Sequence, residues 1–80
     1  MHEAKLCLSL LRIAGEALAR EGASRILVLR VRVGELSGVA PEALQGAFSI
    51  CAAGTSARGA ELRIERAPGR EIALLDMEVT

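Results

Sequence analysis

The run Arg25–Val33, "RILVLRVRV", constrains the fold most strongly. It has the two-residue period of a β-strand. One face carries Leu27, Leu29, Val31 and Val33, and the other carries Ile26, Val28, Arg30 and Arg32. The first face predicts a surface buried against a second layer. The second face is apolar at one end and basic at the other, so we expect it to be only partly covered.

Two segments of helical period flank this strand and can supply the covering layer. The first runs from Ala4 to about Glu21 and stops at Gly22. Its apolar face carries Leu6, Leu10, Ile13, Ala14 and Ala17, widened by Cys7 and Leu11. The second begins at Pro41, with Glu42 in its first turn, and ends at Gly54. Its apolar stripe is Ala43, Leu44, Ala47, Phe48 and Cys51.

Two further strands follow, Ala60–Arg66 and Glu71–Val79, and each alternates apolar with polar residues. In the last strand the apolar set is Ala73, Leu75, Met77 and Val79. Between the two strands, Pro68-Gly69 suits the centre of a type II turn. This short connection predicts that the last two strands pair as an antiparallel hairpin.

The predicted order α-β-α-β-β indicates an α+β two-layer sandwich, with both helices on one face of a three-stranded sheet. A right-handed crossover through the second helix makes the first two strands parallel. No repeat or linker interrupts the sequence, so we predict a single domain over residues 1–80.

Composition excludes several classes of function. Ten basic and ten acidic residues cancel and only one residue is aromatic, which disfavours a nucleic-acid partner. Charges interrupt the first twenty residues and no apolar run is long enough to cross a membrane, so we expect a cytoplasmic protein. No nucleophile–base pair or phosphate-binding glycine motif is present, which predicts that the chain is not an enzyme. Cys7 and Cys51 are predicted to be reduced core thiols, with a disulfide or a shared metal site as alternatives.

The first residues, "MHE", hold the only histidine of the chain. The His2 imidazole and its own backbone nitrogen can close a chelate ring, to which the Met1 α-amine or the Glu3 backbone nitrogen adds a second. Such nitrogen donors favour Cu(II) or Ni(II). The alternative is that these residues are a frayed, idle terminus.

Longer motifs add a family resemblance. "MHEAKLCLSLL", "VRVGELSGVAPEALQGAF", "GAELRIE" and "LDMEV" together resemble the HypA/HybF family of hydrogenase-maturation nickel metallochaperones. The resemblance implies a Ni(II) site at Met1, His2 and Glu3. An acidic side chain in the loop after the first strand is linked to the site in some members. Here that position is Ala40, which leaves Glu42 as a weak second-shell candidate.

The resemblance also implies partners: a maturation GTPase and the hydrogenase large subunit. The family carries a zinc domain with two CxxC motifs between the last two strands, at about residues 67–71 here. This chain has no CxxC, so we expect no zinc. Without that domain, the alternative function is a metal-free interaction module that docks the GTPase. A homodimer or a domain-swapped oligomer stays open.

Overall fold

The computed structural model describes residues 2–80, except for the side chain of His2. Helix α1 spans His2–Arg20, strand β1 spans Ile26–Gly34, and helix α2 spans Pro41–Cys51. A short 3₁₀ turn, Ala52–Gly54, extends α2, and strands β2 and β3 span Glu61–Ala67 and Ile72–Val79. The predicted order and fold class are therefore confirmed. No helix within residues 2–80 is long and apolar enough to span a membrane.

Strand β1 lies in the middle of the sheet, whose order is β2-β1-β3. It pairs in parallel with β2, with Leu29 opposite Leu62, as the crossover through α2 predicts. On its other side it pairs antiparallel with β3, with Leu29 opposite Met77. The predicted hairpin of the last two strands is thus wrong, because β1 separates β2 from β3.

The connection from β2 to β3 passes over the carboxyl end of β1. Gly34, the last residue of β1, donates its N–H to the carbonyl of Glu71 at 2.8 Å, and Leu36 donates to that of Gly69 at 2.7 Å. A Cβ on Gly34 would collide with the Gly69 carbonyl oxygen. Gly69 has a φ of 93°, as the predicted type II turn requires. The Pro-Gly turn is therefore real, but it bridges two strands that are not neighbours.

The core lies between the sheet and the two helices, and Leu29 and Val31 of β1 are fully buried in it. The register of β1 against β3 shifts between Ile26 and Val28. Because of this shift Ile26 joins the core, whereas Leu27 is 48% exposed. The sequence analysis predicted the reverse, with Leu27 on the buried face and Ile26 on the other face.

Four more predicted core positions are corrected, among them Ala73, which pairs with Arg32 of β1 and does not pack against the core. Ile13 lies at the margin of the apolar face of α1 and is 42% exposed, and Ala43 of α2 is exposed. A second register shift, between Arg30 and Val31, leaves Leu75 without a partner on β1. Because of this bulge, the residues of β3 before Asp76 that face the core differ from the predicted ones. The residues of β3 that pack against the core are Ile72, Leu74, Met77 and Val79.

Candidate metal centre

The predicted nickel site falls at the amino end of α1. The helix begins at His2 and has Glu3 in its first turn. The first N–H groups of a helix have no acceptor within the helix, and the helix dipole favours negative charge there. Glu3 is half-buried. Met1 and the side chain of His2 lie outside the described residues, so the predicted ligand set of Met1, His2 and Glu3 stays a prediction.

Cys7 lies one turn after Glu3 and is fully buried. Its Sγ donates weakly to the Leu44 carbonyl of α2, at 3.7 Å. Burial, with smaller contributions from the charges of Cys51 and Glu3, raises the pKa of the Cys7 thiol from 9.0 to about 11. The thiol is therefore protonated near neutral pH and is a poor metal ligand. Both cysteines are free. The predicted burial is confirmed for Cys7, whereas Cys51 is only half-buried.

The contact between Cys7 and Leu44 brings the first turns of the two helices to the same end of the helical layer. Glu42, the candidate second-shell residue, lies in the first turn of α2. Its Oε2 forms an ion pair with Nη2 of Arg66 on β2 at 3.3 Å, and its side chain is 81% exposed. Ala40 is the N-cap of α2 and makes no side-chain cap. Glu42 is therefore held by Arg66 of β2, and its second-shell role stays a prediction.

Among the described side chains, those of residues 3–80, no three of Cys, Asp or Glu come close enough together to hold a metal ion. A site at the start of α1 would instead take backbone nitrogens as donors. These are the donors of the predicted chelate, and they suit Ni(II) or Cu(II) in a planar nitrogen field.

The "GELSGV" block, Gly34–Val39, has a structural role that the sequence analysis missed. In addition to the bonds of Gly34 and Leu36, Glu35 donates its N–H to the carbonyl of Ala67 at 2.8 Å. Three consecutive N–H groups thus hold the β2–β3 connection in place. The sequence signal for this clamp is Gly34 itself, because a glycine at the end of a strand often marks a close backbone approach.

The sheet face opposite the helices carries a network of exposed ion pairs. Arg30 Nε lies 2.8 Å from Asp76, and Arg32 Nη2 lies 3.1 Å from Glu65. Arg63 Nε lies 2.8 Å from Glu61, and this hydrogen bond lowers the pKa of the Glu61 carboxyl. Exposed pairs of this kind contribute little to stability. They do make this face strongly polar, so it can remain uncovered by a second layer.

Comparison with known proteins identifies the class. A family model described as "Hydrogenase/urease nickel incorporation, metallochaperone, hypA" matches residues 1–72 of the chain. A hydrogenase maturation factor HypA of Deinococcus radiodurans is 54% identical over 69 residues, which are 86% of this chain. One of Geobacter sulfurreducens is 46% identical over 70 residues, 88% of this chain. The chain belongs to the HypA family.

The extent of these matches differs between sequence and structure. The chain spans 58% of the length of the Deinococcus relative and 61% of the Geobacter one. The family match ends at residue 72, where β3 begins. The solution structure of the Ni metallochaperone HypA from Helicobacter pylori has a TM-score of 0.87 at 17% identity, over 96% of each chain. At this identity the likeness shows that the fold is shared.

Proposed function

We propose that this chain is a nickel-binding accessory protein for hydrogenase maturation, which holds Ni(II) at Met1, His2 and Glu3 and passes it on. The observation that carries the proposal is the family match, which begins at residue 1 and so includes the Met-His-Glu motif. In this role the chain is a carrier rather than an enzyme, and nickel is its cargo.

The start of α1 suits the chemistry of such a site. Binding through an amide nitrogen requires loss of its proton, and the N–H groups of His2 and Glu3 lie in the first turn, where no helical hydrogen bond is lost. The negative charge that remains is favoured by the helix dipole. A metal held at the start of a helix is also accessible to a recipient, as transfer requires.

The remaining roles in the proposal come from the resemblance. The recipient is the hydrogenase large subunit, and a GTPase of the same maturation pathway assists the transfer in the cytoplasm. Two free cysteines agree with a reducing compartment. We also propose that this chain works without zinc, since its two cysteines lie in separate helices and one of them is buried as a thiol.

Calorimetric titration of the untagged chain with Ni(II), compared with His2→Ala, tests the site. We expect the substitution to weaken binding by more than about tenfold, because loss of even an outer-shell partner costs about 10–100-fold. Affinity should also fall between about pH 8 and pH 6, where protons compete for the amine and the imidazole. A yellow, diamagnetic complex is the expected spectroscopic signature of square-planar nitrogen ligation.

Lys5→Ala is the matched control, because Lys5 is an exposed residue near the start of the same helix. It should leave the affinity unchanged. A glycine added before Met1 should weaken binding if the α-amine is a ligand. Equal Ni(II) affinity of the unmodified chain and His2→Ala would overturn the site. Binding to the GTPase that is insensitive to His2→Ala and to a chelator would then favour the metal-free interaction module.

A further inference from the structure

The two edges of the sheet differ in how well they are protected. On β2, the Nε2 of Gln45 in α2 donates to the main-chain carbonyl of Leu62 at 2.7 Å. One main-chain acceptor of this strand is therefore already bonded to a helix side chain. Four of the seven residues of β2 are charged, and charged side chains discourage pairing at an edge. Only two of the eight residues of β3 are charged. Among residues 4–80, no side chain forms a hydrogen bond with the main chain of β3.

The apolar side chains of β3 are incompletely covered. No residue of this strand is fully buried, although six of its eight residues are apolar and four of them pack against the core. This contrasts with β2, where Leu62 is only 5% exposed. The apolar side chains are therefore well covered at the β2 edge of the sheet and poorly covered at the β3 edge.

Helix α1 continues this apolar surface. Leu6 and Ile13 are seven residues apart, so they lie on one flank of the helix, opposite Leu11 and Gly15. Leu11 and Gly15 line a groove with Ile26, the β1 partner of Val79, and with residues 54–57, which lead into β2. Leu6 and Ile13 therefore lie on the flank of α1 away from β2. The helix also packs against β3. The half of β3 after the bulge at Leu75, Asp76–Val79, thus lies beside the part of α1 that carries the exposed Ile13.

The opposite side of the same half-strand is acidic. Asp76 and Glu78 both point to the polar face of the sheet, with side chains that are 59% and 56% exposed. Arg30 pairs closely with Asp76, whereas Arg63 reaches Glu78 only at 4.0 Å. A strand placed next to β3 would therefore meet an apolar flank on one of its faces and negative charge on the other.

From these observations we infer that the edge Asp76–Val79 of β3 binds an extended segment of a partner protein that alternates apolar with basic residues. The partner strand would add to the sheet through main-chain hydrogen bonds, and its two faces would supply the selectivity. Its apolar side chains would cover Met77, Val79 and Ile13. Its basic side chains would lie beside Asp76 and Glu78. This surface goes beyond nickel binding and does not involve His2.

A second copy of β3 fits this edge less well than a basic strand. Residues 72–79 contain no Lys or Arg, so two such strands would bring acidic side chains together on the polar face. The bulge at Leu75 also shortens the regular edge that two copies could share.

Titration of the ¹⁵N-labelled full chain in metal-free buffer with the peptide acetyl-Val-Lys-Ile-Arg-Val-Lys-Ile-amide tests the inference. We expect amide shifts and slower hydrogen exchange at residues 76–79 of β3. The same peptide with all of its internal amides N-methylated, which lacks hydrogen-bond donors along both of its edges, should not bind. Since no nickel is present, failure here leaves the nickel proposal standing, and the reverse also holds.

A matched pair of variants sharpens the experiment. Glu78 and Glu61 both lie opposite Val28, one on each side of β1. Glu78→Lys should weaken binding of the peptide by about fivefold or more, and Glu61→Lys by less than about twofold. A second pair is independent of charge: Ile13→Ser should weaken binding, whereas Ile50→Ser should not, although Ile50 of α2 is 78% exposed.

Three outcomes would overturn the inference. The first is that the shifts map to β2 or α2 instead of β3. The second is that the N-methylated peptide binds as well as the unmodified one. The third is that β3 amides become protected with rising protein concentration in the absence of peptide, which would identify a second copy of the chain as the occupant.

Discussion

Cys7 shows at the scale of one residue how position decides chemistry. Sequence alone leaves its thiol as a core residue, half of a disulfide or a metal ligand. The structure buries it completely and gives it a carbonyl acceptor on α2. The resulting rise in the pKa of Cys7, to about 11, makes it a structural group rather than a reactive one.

This pKa predicts how stability depends on pH. Because the folded-state pKa of Cys7 is raised, the folded chain holds the proton more tightly than the unfolded chain does. The stabilisation is complete below about pH 9 and is lost as pH rises toward about 11, at a cost of about 2–3 kcal/mol in the free energy of unfolding. Denaturant titrations at pH 8 and pH 11 measure it. Cys7→Ala should remove this component and Cys51→Ala should retain it; an unchanged pH dependence in Cys7→Ala would contradict the assignment.

At the scale of elements, the sequence predicts the helices and strands well but not how the strands pair. Periodicity located all five elements, because apolar spacing reflects burial directly. Periodicity could not locate the bulges at Leu27 and Leu75. One extra residue in a strand changes which alternate residues face the core, and the surrounding residues are apolar on both faces. The short Pro-Gly connection also led to the wrong prediction that β2 and β3 pair as a hairpin. A hairpin would have left the apolar β1 at an edge, whereas the observed order covers β1 on both sides.

The connection that replaces the hairpin gives a prediction about Gly34. Gly34→Ala would force a methyl group against the Gly69 carbonyl, so we expect a loss of about 1–3 kcal/mol in unfolding free energy. Gly46→Ala is the matched control, because Gly46 is exposed in α2 and a Cβ there meets nothing within 4 Å. That control should stabilise the fold by up to about 1 kcal/mol. Thermal and urea unfolding of both variants decide the matter, and similar stabilities would argue against the close approach.

At the scale of the whole molecule, the fold separates a rigid centre from two candidate functional surfaces. Strand β1 and the two helices enclose the best-buried part of the core. The candidate metal centre lies at the amino end of α1, and the poorly covered edge lies at β3. The sequence indicated the candidate metal centre through its Met-His-Glu motif, and the family resemblance alone linked that motif to nickel. The edge surface could not be predicted, because it depends on which strand lies at the margin of the sheet.

This division predicts an order of hydrogen exchange across the sheet. Amides of Leu29 and Val31 on the central strand should exchange only through global unfolding, which for 80 residues costs about 4–12 kcal/mol. Amides of β3 at residues 76–79 should exchange through local opening, at a lower free energy, because that edge lacks side-chain cover. Native-state exchange followed by NMR, compared with the free energy from denaturant unfolding, measures both. If β3 proved as protected as β1 in the monomer, the contrast between the rigid centre and the open edge would be wrong. Added basic strand peptide should raise the exchange free energy of β3 while leaving that of β1 close to the global value.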